Sequence, residues 1–212
     1  MSGDGAQVYV TSRFGNALFV LDRDADSGSA QFGRLTFAAA HINGLSGITG
    51  LSGAFGVDLS PDGKHLYVAS ENDNAVVLFD RNTANGSLTF RRKWVHDTTS
   101  LWGLTGAQGI DIAPDGKEVF VTGAADDSLT IFDRSETSGE LSVHRTIFNG
   151  DGAVTAMDEP GALTTTLDNK FVYVVASGGD GAILPFRRNS ADPEEPEDVP
   201  VLFKDGFEDP VP

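Results

Sequence analysis

Short runs in which large apolar residues alternate with small or polar ones recur along the chain, each closed by a turn rich in Gly, Asn or Pro. The clearest set lies between Gly53 and Trp94. AFGVDLS is a first apolar run, and Pro61-Asp62-Gly63 after it supplies the fixed φ and the positive-φ position of a tight turn. HLYVAS alternates, Glu71-Asn72-Asp73-Asn74 turns the chain, and AVVLFD forms a β-branched and aromatic run. SLTFRRKW follows Asn85-Gly86, among the strongest short-range hairpin signals. The pattern predicts four antiparallel strands in one meander, here designated A, B, C and D.

The meander repeats. Strand B is marked by Tyr9, Tyr67, Phe120 and Tyr173, at spacings of 58, 53 and 53 residues. A second marker keeps the same register: Leu21-Asp22-Arg23, Phe79-Asp80-Arg81, Phe132-Asp133-Arg134 and a decayed Phe186-Arg187-Arg188. The A–B turn recurs as SPDGK from Ser60, APDGK from Ala113 and TLDNK from Thr166, where Asn169 still tolerates left-handed φ. The units run approximately 1–52, 53–105, 106–158 and 159–188, opening at strand B and closing after strand C. Four-stranded units that cannot bury both faces alone must stack, so the expected fold is all-β, a β-propeller of about four repeat units, partial or small, with a solenoid as the rival. Strand A is then the inner strand, and the variable, Gly-rich D–A loops lie on one rim. Residues 189–212 hold five of the nine prolines and form an acidic tail, in which VLFKDGF is a candidate outer strand for the last unit.

The stretch GLSGAFGVDLSPDGKHLYVASENDNAVVLFDRNTANGSLTF resembles the blades of bacterial lactonase-like β-propellers, including those with YVTN-type repeats. The resemblance covers residues 7–188, and SPDGK, a Tyr-Val strand and FDR carry it. It implies rings of about seven blades, some of which hydrolyse sugar lactones, as 6-phosphogluconolactonase-like enzymes do, or cyclise muconates. The segment LFKDGFE resembles a short motif near the carboxyl ends of some exported bacterial proteins, which implies an extracellular or cell-envelope location.

Composition narrows the partners. A net charge of −16 repels nucleic-acid backbones and anionic membranes. No apolar run approaches the roughly 18 residues of a membrane span, and no basic and apolar leader opens the chain. Zero cysteines removes thiolate chemistry. Met1 enters near the middle of a unit, the expectation being a fragment, a mature product or a mis-assigned reading frame.

Asp58 and Asp111 occupy equivalent positions on strand A, where they either converge on a ligand in the channel or accept local backbone N–H groups; Thr164 is their counterpart in the last unit. His41 and His96 follow strand D near the variable rim, positioned as a general base or ligand. His65 and His144 are expected to be partly exposed strand residues. Asp22, Asp24 and Asp26 alternate as in a calcium loop, but Ser27 and Gly33 stand where the loop needs Gly and Glu, so a hairpin turn is expected. No metal site or cofactor is assigned. Arg23, Arg81 and Arg134 recur with the scaffold and read as structural, and Arg91-Arg92-Lys93-Trp94 reads as a solvated outer strand. The residues support a non-catalytic module offering rim loops to a protein or glycan partner; the alternative is a lactone hydrolase. Open end units are expected to drive self-association.

Overall fold

A computed structural model describes residues 1–97, 99–179 and 181–188; the tail and its candidate strand VLFKDGF lie outside them. Four antiparallel meanders build the described chain. The first contains β1 (Gln7–Ser12), β2 (Ala17–Arg23) and β3 (Leu35–Ile42), which are strands B, C and D. Complete units follow: β4 (Ala54–Leu59), β5 (His65–Ser70), β6 (Ala75–Arg81) and β7 (Leu88–Val95), then β8 (Ala107–Ile112), β9 (Glu118–Gly123), β10 (Ser128–Arg134) and β11 (Leu141–Phe148). The fourth sheet has β12 (Pro160–Thr165), β13 (Phe171–Ala176) and β14 (Ala182–Arg187), strands A, B and C. The fold is an all-β partial propeller.

Turn chemistry explains the strand boundaries. Ser60 Oγ donates to Asp62 Oδ1 at 2.6 Å and the same oxygen accepts from Lys64 N at 3.1 Å, holding the A–B turn closed. Gly63 sits at φ 71° in that turn, and Asn169 takes the left-handed position at φ 65° in the last unit.

Among the described residues three apolar cores lie between the four sheets, one at each successive seam. Tyr67, Phe79 and Phe90 divide between two neighbours. Tyr67 joins the core with the third sheet, whereas Phe79 and Phe90 pack against the first. The register is the cause: Tyr67 pairs with Leu78, while Leu66, Phe79 and Phe90 line up on the opposite face. His65, expected to be partly exposed, is buried.

Polar bonds repeat at each seam. Arg81 Nε donates to Tyr9 Oη at 2.5 Å and its NH2 to Gln7 Oε1 at 2.6 Å. One unit on, Arg134 Nε meets Tyr67 Oη at 3.0 Å and its NH2 meets His65 Nδ1 at 2.8 Å. At the third seam Phe120 has no hydroxyl; Arg188 lies over its ring and binds Glu118 Oε2 through Nε at 2.7 Å. Gln7, His65 and Glu118 are thus one position with one task, accepting from the arginine of the next unit. The B–C turns add a second link: Asn16, Asn74 and Asp127, all at positive φ, accept from Gly53 N, Gly106 N and Glu159 N at 2.8, 2.8 and 2.9 Å.

The inner strands β4, β8 and β12 pack side by side. Gly56 and Gly109 permit this, because an added Cβ would stand 2.3 Å from Gln108 O or 2.2 Å from Gly161 O.

Candidate functional site at the inner-strand rim

Each inner strand begins at the rim that carries the D–A loops and B–C turns, and ends at the opposite rim. This direction separates the four residues singled out from sequence. Asp58 and Asp111 lie near the far ends of β4 and β8, where they join inner strands. Asp58 Oδ1 accepts from Leu59 N at 2.8 Å and Oδ2 from Ile112 N at 2.9 Å; Asp111 Oδ2 accepts from Thr165 N at 2.6 Å. Burial, reinforced by the neighbouring Asp111 charge, pushes the Asp58 carboxyl up to about 6, and burial also raises Asp111.

His41 and His96 belong to the other rim and to different seams. His41 packs edge-on against Phe79 with ring centroids 5.2 Å apart, and desolvation lowers its pKa. His96 Nδ1 lies 3.2 Å from both Thr105 Oγ1 and Asp126 Oδ2. The carboxylates of the calcium-like run serve their own turn: Asp24 Oδ1 accepts from Asp26 N at 3.0 Å and Asp26 Oδ1 from Gly28 N at 2.9 Å. Among the described residues no group of three His, Asp or Glu could hold a metal ion.

A different constellation lies where the inner strands begin. The residue directly after strand B is Arg13, Glu71, Ala124 and Ser177 in the four units, and the second residue of strand A is Phe55, Gln108 and Gly161. These equivalent positions carry unlike chemistry on an otherwise repetitive scaffold. Arg13 NH2 donates to Glu71 Oε1 at 2.7 Å, and its Nε faces Oε2 at 2.5 Å. Gln108 Nε2 reaches the same Oε1 at 3.4 Å. The guanidinium also lies over the Phe55 ring, 5.6 Å from its centroid. Beside Glu71 opens a cavity of about 260 Å³, lined by Gly106, Gln108, Ala124, Glu159 and Ser177. Its size falls just below the ~300–1,000 Å³ of drug-sized pockets, which suits a ligand of one small ring. Two carboxylates, an amide, a hydroxyl and a nearby guanidinium suit a ligand rich in hydroxyl groups. No linear motif announces this site; the detectable signal is divergence among aligned repeat positions.

Comparison with known proteins agrees with the fold. Residues 1–93 match the family model described as Lactonase, 7-bladed beta-propeller, and no curated protein sequence matches the chain. Among solved structures, the chain is similar to a candidate 6-phosphogluconolactonase from Bacteroides fragilis, at 21% identity and TM-score 0.71, covering 90% of this chain and 49% of that one. A candidate 6-phosphogluconolactonase from Bacteroides uniformis gives 17% identity, TM-score 0.70 and coverage of 91% and 53%. The periplasmic gluconolactonase of Pseudomonas aeruginosa gives 22% identity, TM-score 0.67 and coverage of 89% and 48%. The chain therefore spans about half the length of these structures.

Proposed function

From the propeller fold and the match of residues 1–93 to the lactonase family model, we propose that the chain contributes to hydrolysis of a sugar lactone at the inner-strand rim. The observation that carries the reading is the Arg13–Glu71–Gln108 cluster beside a cavity of about 260 Å³. The names of the similar structures, lactonases of sugar acids, support the substrate class. Opening a lactone needs a water deprotonated as it attacks the carbonyl carbon, and a positive group where the oxyanion grows. Glu71 takes the proton, Arg13 faces the oxyanion, and as the carbonyl reforms the ring C–O bond breaks, its oxygen leaving as a hydroxyl with the proton that Glu71 returns.

The first test is turnover of glucono-δ-lactone and its 6-phosphate by the purified chain. Glu71→Gln is expected to lower kcat by about 100-fold or more, and Arg13→Met to act in the same direction. Full activity in Glu71→Gln would refute the assignment. Saturable binding of a sugar acid without turnover would favour the non-catalytic module with a glycan partner. Placement outside the cytoplasm or in the envelope rests on the LFKDGFE resemblance, and fractionation of the native cells checks it.

A further inference from the structure

The D–A loops end on one equivalent position, held by Gly53, Gly106 and Glu159. Its backbone has the same duties in each unit. The N–H donates to Asn16, Asn74 or Asp127 of the preceding unit, and the carbonyl accepts from Glu71 N at 3.0 Å, Ala124 N at 3.1 Å or Ser177 N at 3.1 Å. The residue sits at φ 71°, 70° and 49° respectively, in the left-handed region that glycine enters freely and residues with a side chain do not. The scaffold thus asks for glycine here, and the fourth unit carries a glutamate. Packing does not explain the exchange: the Glu159 side chain is exposed, and no cation among the described residues pairs with its carboxylate. What it does is line the cavity of about 260 Å³ beside Glu71. A side chain kept at a costly backbone position, without a structural partner and at a cavity wall, points to a ligand.

The lining sets the chemistry of that ligand. Glu71 and Glu159 supply carboxylates, Gln108 an amide and Ser177 a hydroxyl, and among the described residues no lysine or arginine lines the cavity. Arg13 pairs with Glu71 and offsets its charge, whereas the charge of Glu159 is not offset. Ionised carboxylates only accept hydrogen bonds, so they hold sugar hydroxyls and repel phosphate oxygens, which need donors. A cavity of about 260 Å³ is on the order of 8 Å across, about one Debye length at physiological salt, so a phosphate anywhere inside it meets the charge of Glu159.

We infer that Glu159 is a specificity-determining residue, which admits an uncharged sugar lactone to this site and rejects a phosphorylated one. The inference rests on the lactonase reading for the reaction and goes beyond it in fixing which class of lactone is taken.

The experiment compares kcat/KM for glucono-δ-lactone and its 6-phosphate in the wild type, Glu159→Gln and Glu159→Gly. Calorimetry on the same proteins measures binding of glucono-δ-lactam, with and without a 6-phosphate, and so needs no turnover. The wild type should prefer the uncharged lactone and the uncharged lactam by roughly tenfold or more. Glu159→Gln keeps the shape and loses the charge, and should narrow both preferences by about threefold or more through a gain on the phosphorylated compound. Glu159→Gly, copying Gly53 and Gly106, should narrow them likewise while melting no lower than the wild type. Raising salt from about 0.01 to about 1 M, which shortens the Debye length from about 30 to about 3 Å, should narrow the wild-type preference as well. No turnover of either lactone, with the lactam preference intact and dependent on Glu159, would sink the reaction and uphold the charge selection. Equal or reversed preference, no binding of either lactam, or loss of turnover on both lactones in Glu159→Gln would each overturn the inference.

Discussion

At the seams between sheets, aligned positions of successive units do the same thing with nearly the same atoms. Arg81 and Arg134 both reach back to a strand-B tyrosine, and where Phe120 lacks the hydroxyl, Glu118 takes up Arg188 instead. At the inner-strand rim, aligned positions hold Arg13, Glu71, Ala124 and Ser177, and nothing in the packing asks them to match. The contrast separates two demands on a repeat protein. A seam recurs because every unit must solve one burial problem, whereas a ligand site is built once and needs each unit to bring something different.

The largest effect that tests this contrast is expected at Tyr67, fully buried between the second and third sheets. Tyr67→Ala should cost roughly 3–5 kcal/mol by cavity formation and loss of its bonds to Gly139 O and Arg134. A chemical-denaturation curve close to wild type would show that the seam is not the main support.

Next is Arg134, whose guanidinium joins Tyr67 Oη, Gly116 O and His65 Nδ1. Arg134→Met should cost about 2–3 kcal/mol, because these buried acceptors lose their donor. Arg13→Met at the rim should shift stability by no more than ~0.5 kcal/mol while impairing turnover. Equal losses of stability in the two variants would erase the distinction between seam and site.

A smaller effect concerns pH. Burial first, and then the Arg134 charge, lower the His65 pKa below its ordinary 6.5. The folded chain thus binds fewer protons than the unfolded chain, and this seam's contribution is full above about pH 6.5 and declines as pH falls through the folded pKa. His65→Gln, copying Gln7 at the equivalent position, keeps an acceptor for Arg134 and should reduce the loss of stability below pH 6.5, leaving the part due to His41 and the opposing contribution of Asp58, whose raised carboxyl takes up its proton in the folded chain first. Thermal melts at pH 5 and 7.5 check it; an unchanged slope would place the sensitivity elsewhere. The smallest effect is expected from Ser177→Ala, within ~0.5 kcal/mol of wild type.

Strands, turns and their repetition are legible in the sequence because their causes are local. Alternation sets which residues can be buried, and Pro61-Asp62-Gly63 or Asn85-Gly86 sets where the chain reverses, all within a few residues. The recurrence of Arg23, Arg81 and Arg134 also marked them as scaffold. Which neighbour each side chain faces is not local: Tyr67 and Phe79 part company because cross-strand register assigns them to opposite faces. Asp58 and Asp111, open in sequence to two readings, accept from Ile112 and Thr165 across the seams, an outcome that required inner strands to lie side by side. The rim cluster depends still more on tertiary structure. Arg13, Glu71 and Gln108 stand 58 and 37 residues apart and meet only because successive sheets stack about one inner edge. Local rules determine a strand; a site assembled from three units exists only after the seams have closed.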